Sequence, residues 1–395
     1  MINDIDKPID ILVASTACHT AINRSVYKDF IDSGFSVVLV VPTKLFFPSG
    51  DVFSEPAESD DPPIIFLDIT SINSRVSRFK NIYQILNKFK PRIVLLDNDP
   101  VSISAFQMGL WAKVNKARLF CISCENMPFS IYSSTRNRGI KGFASALFKR
   151  VLIVITRPLV HCVFTINNEG TDIFKKELFK KVVKIPLGFD SKYFSMDQNM
   201  RLAKREEMKL SGCVFGYFGR ISREKGVHVL LSALEKMLDY EWTLIMDEFD
   251  VYKNNYGSEV FKIIVDSKII NRTIFINPSH KEIGGYINIV DAVMMPSITT
   301  PTWIEQYGRI AAESLACGKL VVASDTGAIP MLLNSHGVLF KESDSEGLRD
   351  ILTNIVKFGV RSYNHFDPEK ASNYAHKNLN TNMQMKIMIQ EFTND

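Results

Sequence analysis

The chain has 395 residues, of which 46% are hydrophobic and 23% are charged, and its formal net charge is +4. This balance is typical of a folded globular protein and excludes a disordered chain, and the length predicts two domains. The sequence has no apolar run of about 18 residues, so no membrane-spanning helix is expected. Residues 1–10 are acidic and lack the apolar core of a secretory signal, so we expect a cytoplasmic protein.

The first half of the chain alternates short β-rich runs with segments of helical periodicity, such as residues 78–89 and 101–114. The β-rich runs are continuous in Val, Ile, Leu and Phe, as is typical of parallel strands buried on both faces. The predicted strands are 11–14, 36–41, 64–68, 92–96, 118–123 and 162–165. The alternation predicts a doubly wound parallel sheet.

Positive charge is concentrated in the second part of this half. Residues 101–188 contain 14 Lys and Arg against 4 Asp and Glu, a net charge of +10, whereas residues 1–100 contain 10 against 13, a net charge of −3. Two interpretations stay open: solvated helix faces, or a patch that faces anionic lipid or an anionic acceptor. No nucleic-acid-binding motif accompanies the charge, so nucleic acid is not an expected partner.

The alternation of strands and helices restarts after residues 185–190, where proline and glycine interrupt the pattern. The predicted strands of the second half are 214–218, 243–246, 273–276, 292–295, 320–323 and 338–340. We therefore expect two Rossmann-like domains, residues 1–187 and 188–370, with a hinge near Gly188. Ligands of such sheets bind at the carboxyl ends of the strands, which predicts a site in a cleft between the two domains.

The loop after the first strand of the second half is suited to a diphosphate. It runs from Gly219-Arg220 to Lys225-Gly226, and a helix with one apolar face follows it. Two cations and two glycines at the carboxyl end of a strand supply positive charge and allow backbone amides to approach an anion closely. On this stretch alone, two surface charges in a connecting loop are an equally good interpretation.

The stretch after the fourth predicted strand of this half carries two glutamates. Glu305 precedes a helix that is expected to begin near Gly308 and to end at Gly318, and Glu313 lies on that helix. The loop carboxylate can accept hydrogen bonds from sugar hydroxyls, and the helix carboxylate can hold a ribose diol. Between them, the amides of residues 307–309 and the positive helix end can face a diphosphate. Either glutamate alone is more often an exposed helix charge.

Three segments, in their order and spacing, together resemble glycosyltransferase family 4. They are the E-x7-E region (Glu305 to Glu313, followed by residues 316–330), the diphosphate-binding loop (Gly219-Arg220 to Lys225-Gly226) and the interdomain segment (residues 185–194). The resemblance is strong over about residues 182–345 and only architectural over the first half.

The resemblance implies the GT-B fold, α/β with two Rossmann-like doubly wound parallel-sheet domains facing a central cleft. It also implies a nucleotide-sugar donor, UDP- or GDP-linked, transfer with retention of anomeric configuration, and no need for a metal or other cofactor. In the family the tail of the chain returns to the first domain. We therefore expect residues 371–395 to form a helix that packs on the N-terminal domain.

Carried over residue by residue, the resemblance assigns Arg220 and Lys225 to the donor diphosphate, Glu305 to the donor sugar and Glu313 to the ribose. The donor-binding candidates are Gly219, Arg220, Lys225, Glu305, Tyr307, Gly308, Arg309 and Glu313. The positive loop and helix end are expected to stabilise the charge that develops on the leaving diphosphate. The catalytic candidates are Glu305, Glu125 and His19.

The sequence departs from the family pattern at several places. Residues 15–21 contain no glycine, residues 247–248 are Asp-Glu where a glycine-rich turn is common, and Met331 stands where Glu is frequent. Glu125 is expected to orient the acceptor hydroxyl or the transferred sugar, or else to be a polar loop residue. His19 is expected to reach the cleft from the first loop, or else to cap the following helix.

The function expected from these features is transfer of a hexosyl or N-acetylhexosaminyl group to a glycan acceptor. We expect the acceptor to be lipid-linked, in the synthesis of cell-surface polysaccharide, with peripheral contact of the basic segment at the inner face of the plasma membrane. The alternatives are a nucleotide-sugar epimerase and a non-catalytic sugar-nucleotide-binding subunit. A dinucleotide oxidoreductase is disfavoured because no G-x-G-x-x-G follows a strand.

Two further motifs are not expected to bind metal. Asp97-Asn98-Asp99 has the D-x-D pattern of metal-dependent transferases, but the second-half motifs already supply cations to a diphosphate. Cys121-x-x-Cys124 has a redox-like spacing, but Cys121 lies in a predicted strand and no second pair completes a zinc site.

Overall fold

The structure, a computed structural model, describes residues 8–47, 50–71, 73, 75–252 and 255–394. The chain forms two compact units. The first comprises Met1–Pro186 and Asn382–Asp395, and the second comprises Leu187–Thr381. Each unit is built on one parallel sheet, as the alternation of buried apolar runs and amphipathic segments predicts.

The first unit contains a seven-stranded parallel sheet of order β5-β2-β1-β6-β7-β8-β9 and a separate antiparallel hairpin, β3-β4. The central strands are buried on both faces, which explains their continuous apolar sequences. The strands are β1 (Ile11–Ser15), β2 (Val37–Pro42), β3 (Lys44–Phe47), β4 (Gly50–Phe53), β5 (Ile64–Leu67), β6 (Ile93–Asp97), β7 (Arg118–Ser123), β8 (Val160–Thr165) and β9 (Val182–Lys184).

The helices of the first unit cover its sheet. They are α1 (Lys28–Asp32), α2 (Ile82–Phe89), α3 (Ile103–Val114), α4 (Ile131–Thr156) and α5 (Asn168–Lys176), with 3₁₀ turns at Ala17–His19 and Ala21–Tyr27. Helix α4 is broken at Gly139, whose φ of 59° and ψ of −142° lie outside the helical region, so that residues 140–156 form a continuous helix of their own. None of the described helices is long and apolar enough to cross a lipid bilayer.

The second unit contains a six-stranded parallel sheet of order β12-β11-β10-β13-β14-β15. The order reverses between β10 and β13, which are neighbours in the sheet although two strands separate them in the chain. The strands are β10 (Cys213–Tyr217), β11 (Trp242–Asp247), β12 (Thr273–Ile276), β13 (Ala292–Met295), β14 (Leu320–Ser324) and β15 (Val338–Phe340). This reversal is the topological switch point at which doubly wound sheets bind ligands.

The helices of the second unit flank its sheet in the same way. They are α6 (Gln198–Glu207), α7 (Val227–Glu235), α8 (Asn255–Asp266), α9 (Ile283–Ile289), α10 (Arg309–Ala316), α11 (Ile329–Leu333), α12 (Ser345–Phe358) and α13 (Pro368–Asn378), with 3₁₀ turns at Arg223–Lys225, Ile269–Arg272 and Val360–Ser362. Helices α7 and α10 begin directly after positive-φ glycines, Gly226 and Gly308, and these two helices position the candidate site.

The last helix, α14 (Thr381–Thr393), packs on the first unit. The Phe392 ring lies 4.7 Å from the Phe120 ring and 5.3 Å from the Phe30 ring. Arg118 donates hydrogen bonds to the carbonyl oxygens of Phe392 and Asn394. These contacts bury the end of the chain against the first sheet.

The expected tail of residues 371–395 is divided between the units, which differs from the expectation. Helix α13 remains in the second unit, where Ala371 and Ala375 are fully buried and the Ser372 hydroxyl donates to the Ala316 carbonyl at 2.7 Å. Small side chains on this face allow α13 to pack closely on α10, so the chain returns to the first unit only at α14.

The two chain segments that join the units lie side by side. Phe189 and Asn380 form an isolated parallel bridge, and the Thr381 amide donates to the Phe189 carbonyl at 3.0 Å. A Cβ on Gly188 would lie 2.6 Å from the backbone of Thr381, so only glycine fits there without displacement of the neighbouring backbone.

The predicted fold class, two doubly wound parallel-sheet α/β domains, is confirmed. All six strands predicted in each half are present. The β3-β4 hairpin and the short edge strand β9 were not predicted. Helix α2 begins at Ile82, four residues after the start of the predicted segment, because a turn and an isolated bridge between Ile69 and Phe79 precede it.

Candidate functional site

A cavity of about 660 Å³ opens at the carboxyl ends of β10 to β13 in the second unit. It therefore lies at the switch point of that sheet. Its walls include seven of the eight donor-binding candidates. These are Gly219, Arg220, Lys225, Glu305, Gly308, Arg309 and Glu313. The eighth, Tyr307, is buried and is not among the residues that line the cavity.

The loop after β10 holds Arg220 and Lys225 at one wall of the cavity. A Cβ on Gly226, which has a φ of +65°, would lie only 1.7 Å from the Pro296 carbonyl oxygen, so this position requires glycine. The Ile298 amide donates to the Glu224 carbonyl at 2.8 Å. The loops after β10 and β13 are therefore joined by backbone contacts, and Lys225 is fixed beside the second loop.

Glu305 is buried, and its Oε2 receives hydrogen bonds from two described side chains. The Lys225 ammonium lies 2.6 Å from Oε2, and the Ser297 hydroxyl donates to the same oxygen at 2.9 Å. The Glu305 backbone is also fixed, because its carbonyl accepts a hydrogen bond from the Ala328 amide at 3.1 Å. The Lys225 ammonium also lies 5.0 Å from the centre of the Trp303 ring.

Glu313 is buried on α10 and faces the same cavity. His280 Nε2 lies 3.4 Å from Glu313 Oε1, and that oxygen has no hydrogen-bond partner among the described residues. A buried carboxylate oxygen without a donor is costly, since ionised groups need hydrogen bonds when they are removed from water. Glu313 is therefore prepared to accept hydrogen bonds from hydroxyl groups of a ligand.

The start of α10 faces the cavity between the two glutamates. Gly308 precedes the helix with a φ of +85°, and its Cα lies so close to Met295 that a Cβ would be 2.8 Å from the Met295 methyl group. Arg309 is the first helical residue and lines the cavity. Free amides at a helix start, together with an arginine, form a site for anions.

Two acidic residues, Asp247 and Glu248, complete the cavity wall after β11. Burial raises the pKa of Asp247 to about 6, although a hydrogen bond from the Gly219 backbone opposes this shift. The carboxyl group is therefore ionised at neutral pH at some cost, and it gains a proton as the pH falls below about 6.

Glu125 lies at the carboxyl end of β7 in the first unit, in a cluster of charged groups. Arg75 forms ion pairs with both Glu125 and Asp99, and its Nη1 lies 3.1 Å from Asp99 Oδ2. Burial raises the pKa of Asp99, whereas the nearby Arg75 guanidinium lowers it. Glu125 Oε1 also accepts a hydrogen bond from the Met127 amide at 3.1 Å. Glu125 is thus a fixed member of an ionic cluster, and its role stays a prediction.

His19 is half-buried in the 3₁₀ turn after β1. Its Nδ1 lies 3.1 Å from the Thr16 carbonyl oxygen, so Nδ1 carries the proton of the neutral ring and Nε2 is an acceptor. The next turn, Ala21–Tyr27, is preceded by Thr20 and has no side-chain cap. The only side-chain contact that the structure describes for His19 is therefore the one to Thr16 in its own turn.

The two aspartates of the D-x-D pattern have different partners. Asp97 accepts hydrogen bonds from Ser15 at 2.6 Å and Tyr27 at 3.2 Å, whereas Asp99 pairs with Arg75. Within the described ranges, no group of three or more His, Cys, Asp and Glu is placed to hold a metal ion.

Sequence reasoning missed three residues that complete these clusters, namely His280, Ser297 and Arg75. His280 follows β12, and Ser297 follows β13, so both lie where the switch-point rule places ligand-binding residues. The switch-point rule would therefore have been sufficient to nominate His280 and Ser297. Arg75 lies in an irregular segment before α2, and no local pattern marks it.

Residues 202–372 match the family model described as glycosyl transferases group 1. The match includes β10 to β15 and every residue that lines the cavity. This match supports, at the level of the second unit, the prediction of a transferase.

The proteins that are similar in sequence match this chain over 151 to 166 residues. A D-inositol 3-phosphate glycosyltransferase of Corynebacterium jeikeium is 28% identical over 151 residues, 36% of this chain and 35% of that protein. An alpha-maltose-1-phosphate synthase of Mycobacterium tuberculosis is 29% identical over 166 residues, 40% of each chain. A lipopolysaccharide 1,2-N-acetylglucosaminetransferase of Salmonella typhimurium is 24% identical over 151 residues, 37% of this chain and 39% of that protein. The alignments thus span less than half of these relatives.

Similarity to solved structures extends over nearly the whole chain. A crystal structure of Anabaena HepE in complex with UDP and glucose has a TM-score of 0.73 at 16% identity and covers 98% of this chain and 100% of that one. A glycosyltransferase from Rickettsia africae has a TM-score of 0.72 at 18% identity and covers 98% of each chain. At these identities the comparison establishes a shared fold.

Proposed function

We propose that this protein is a glycosyltransferase that moves a hexosyl or N-acetylhexosaminyl group from a UDP- or GDP-linked sugar to a glycan acceptor. One observation carries the proposal. In a domain that matches the group 1 glycosyltransferases, the Lys225–Glu305 pair and the buried Glu313 line one cavity at the switch point of the sheet. The transfer proceeds with retention and without a metal ion.

The donor diphosphate is bound by Arg220, Lys225 and the start of α10. Within the described part of the chain Arg220 makes no ion pair, so its charge is available to a phosphate. Negative charge develops on the diphosphate as the glycosidic bond breaks. Fixed cations and helix amides stabilise this charge more strongly in the transition state than in the ground state, which is the requirement for catalysis.

Glu313 accepts hydrogen bonds from the ribose hydroxyls, and the His280 ring lies 3.4 Å from it on the side of β12. Glu305 accepts hydrogen bonds from the hydroxyl groups of the donor sugar. Lys225 and Ser297 fix the orientation of the Glu305 side chain. Both carboxylates are buried, so their hydrogen bonds to the ligand are little weakened by competition with water. These residues position the donor, and no covalent nucleophile is assigned.

The acceptor is a glycan, carried on a lipid, in the synthesis of cell-surface polysaccharide at the inner face of the plasma membrane. The similarity to a Salmonella lipopolysaccharide N-acetylglucosaminetransferase supports this class of acceptor. The Glu125–Arg75–Asp99 cluster and His19, both at the carboxyl ends of first-unit strands, are the residues proposed to contact the acceptor or the transferred sugar.

The proposal is tested by nuclear magnetic resonance with UDP-glucose, UDP-N-acetylglucosamine and GDP-mannose, each mixed with octyl glycosides as acceptors in the presence of a chelator. We expect one donor to be consumed, its nucleoside diphosphate to be released, and the new bond to keep the anomeric configuration of the donor. Glu305→Gln serves as the control and is expected to be inactive.

Two results would contradict the proposal. An altered sugar nucleotide that forms without acceptor would indicate the epimerase alternative. Nucleotide binding without consumption of any donor, or without any transfer to any acceptor, would indicate a non-catalytic subunit.

A further inference from the structure

An apolar stripe lies on the solvent face of the helix formed by residues 140–156. Its members are spaced three or four residues apart, which places them on one face of the helix. They are Ile140, Phe143, Leu147, Val151 and Val154. The exposed fraction reaches 88% at Ile140 and 63% at Val154, and the other three are about half exposed.

The opposite face of this helix holds it on the first unit. Ala146, Leu152, Ile153 and Thr156 are buried there, and the helix packs on α3. The stripe is therefore not needed to fill the core. Contiguous exposed apolar surface of this kind marks an interaction site in a folded protein.

The helix of residues 140–156 has a net positive charge. Residues 140–156 contain Lys141, Lys149 and Arg150 and no acidic residue. The Arg150 guanidinium bonds both oxygens of Glu177 at 2.7 Å, which brings the end of α5 against the helix.

The same end of α5 carries further exposed cationic and apolar side chains. Lys175, Lys176 and Lys180 are exposed there, and the apolar side chain of Leu178 is 71% exposed. The stripe and this end of α5, joined through the Arg150–Glu177 pair, make up a surface that carries both exposed apolar and exposed cationic groups.

We propose that this surface docks on a bilayer of anionic lipids, with the helix of residues 140–156 lying in the plane of the membrane. The stripe enters the boundary between headgroups and acyl chains, and the lysines pair with lipid phosphates. At 1.5 Å per residue the stripe is roughly 20 Å long, enough to lie on the surface but not to cross it.

A second copy of the chain is a poorer occupant of the surface. A symmetric dimer through the stripe would bring the lysines of both copies, Lys141, Lys175 and Lys176, into one interface. Like charges at the edge of an interface oppose association, whereas an anionic bilayer attracts the same residues. The inference rests on the first unit alone and does not depend on the donor site.

The docking proposal is tested by flotation of the full-length protein with phosphatidylcholine vesicles, with and without phosphatidylglycerol. We expect binding only to vesicles that contain phosphatidylglycerol, and weaker binding at high salt. Leu147→Glu is expected to weaken binding about ten-fold or more, because it places a charge in the apolar stripe. Lys175→Gln combined with Lys176→Gln is expected to weaken it about ten-fold.

Matched controls use exposed residues of the second unit. Leu202→Glu, at a leucine 60% exposed on α6, and Lys262→Gln combined with Lys268→Gln are expected to bind as the parent does. Absence of vesicle binding, or binding that Leu147→Glu leaves unchanged, would overturn the proposal. A concentration-dependent dimer in sedimentation velocity that Leu147→Glu abolishes would assign the stripe to a second copy and would equally overturn it.

Discussion

Replacing Glu313 with glutamine is expected to weaken the binding of a nucleoside diphosphate by about 10- to 100-fold, since hydrogen bonds to a charged acceptor contribute roughly 1.5–3 kcal/mol. The buried carboxylate has an oxygen without a hydrogen-bond partner among the described residues, and the ribose hydroxyls are proposed to supply it. Glutamine keeps the shape of the side chain but loses the charge. Titration calorimetry of the parent and the variant measures the difference.

The control for this substitution is Glu346→Gln, at an exposed glutamate on α12 far along the chain from the cavity residues. This variant is expected to bind as the parent does. Equal affinity of Glu313→Gln and the parent, with an unchanged unfolding temperature of the free protein, would show that Glu313 does not contact the ligand.

Replacing Lys225 with methionine is expected to lower the free energy of unfolding by on the order of 2–4 kcal/mol, because it leaves the buried Glu305 carboxylate without its cation. The same change is expected to abolish transfer. Adding Glu305→Gln to this variant removes the uncompensated charge. We therefore expect the double variant to regain most of the lost stability but none of the activity, as measured by calorimetric unfolding and by donor consumption.

An exposed ion pair is the control for this prediction. Lys236 pairs with Glu346, and both side chains are about half exposed. Lys236→Met is therefore expected to change the free energy of unfolding by less than about 1 kcal/mol. If the double variant at Lys225 and Glu305 unfolds as readily as the single variant, the burial of an unpaired charge does not explain the loss of stability.

The fold was predictable because its strands are marked locally. Runs such as those of β10 and β13 are apolar along their whole length, since both faces of a parallel sheet are covered by helices, and glycines mark the starts of α7 and α10. Most donor-binding candidates could be nominated because they lie on the loops that follow such strands, whereas Glu313 lies on α10 and was nominated through its spacing from Glu305. Their roles stay predictions.

The pairings between distant segments were not predictable in the same way. Lys225 and Glu305 are 80 residues apart, and Arg75 is 50 residues from Glu125. No local periodicity indicates which cation will meet which carboxylate, because that choice depends on strand order. The division of the tail between α13 and α14 likewise depends on tertiary packing, here of small side chains on α10.

The most direct test of the account is a calorimetric titration of UDP and of GDP into the full-length protein in the presence of a chelator. The account predicts that one of the two nucleotides binds at a single site without added metal. Binding only in the presence of a divalent metal ion, or no binding of either nucleotide, would contradict a metal-independent donor site built from Arg220, Lys225, Glu305 and Glu313.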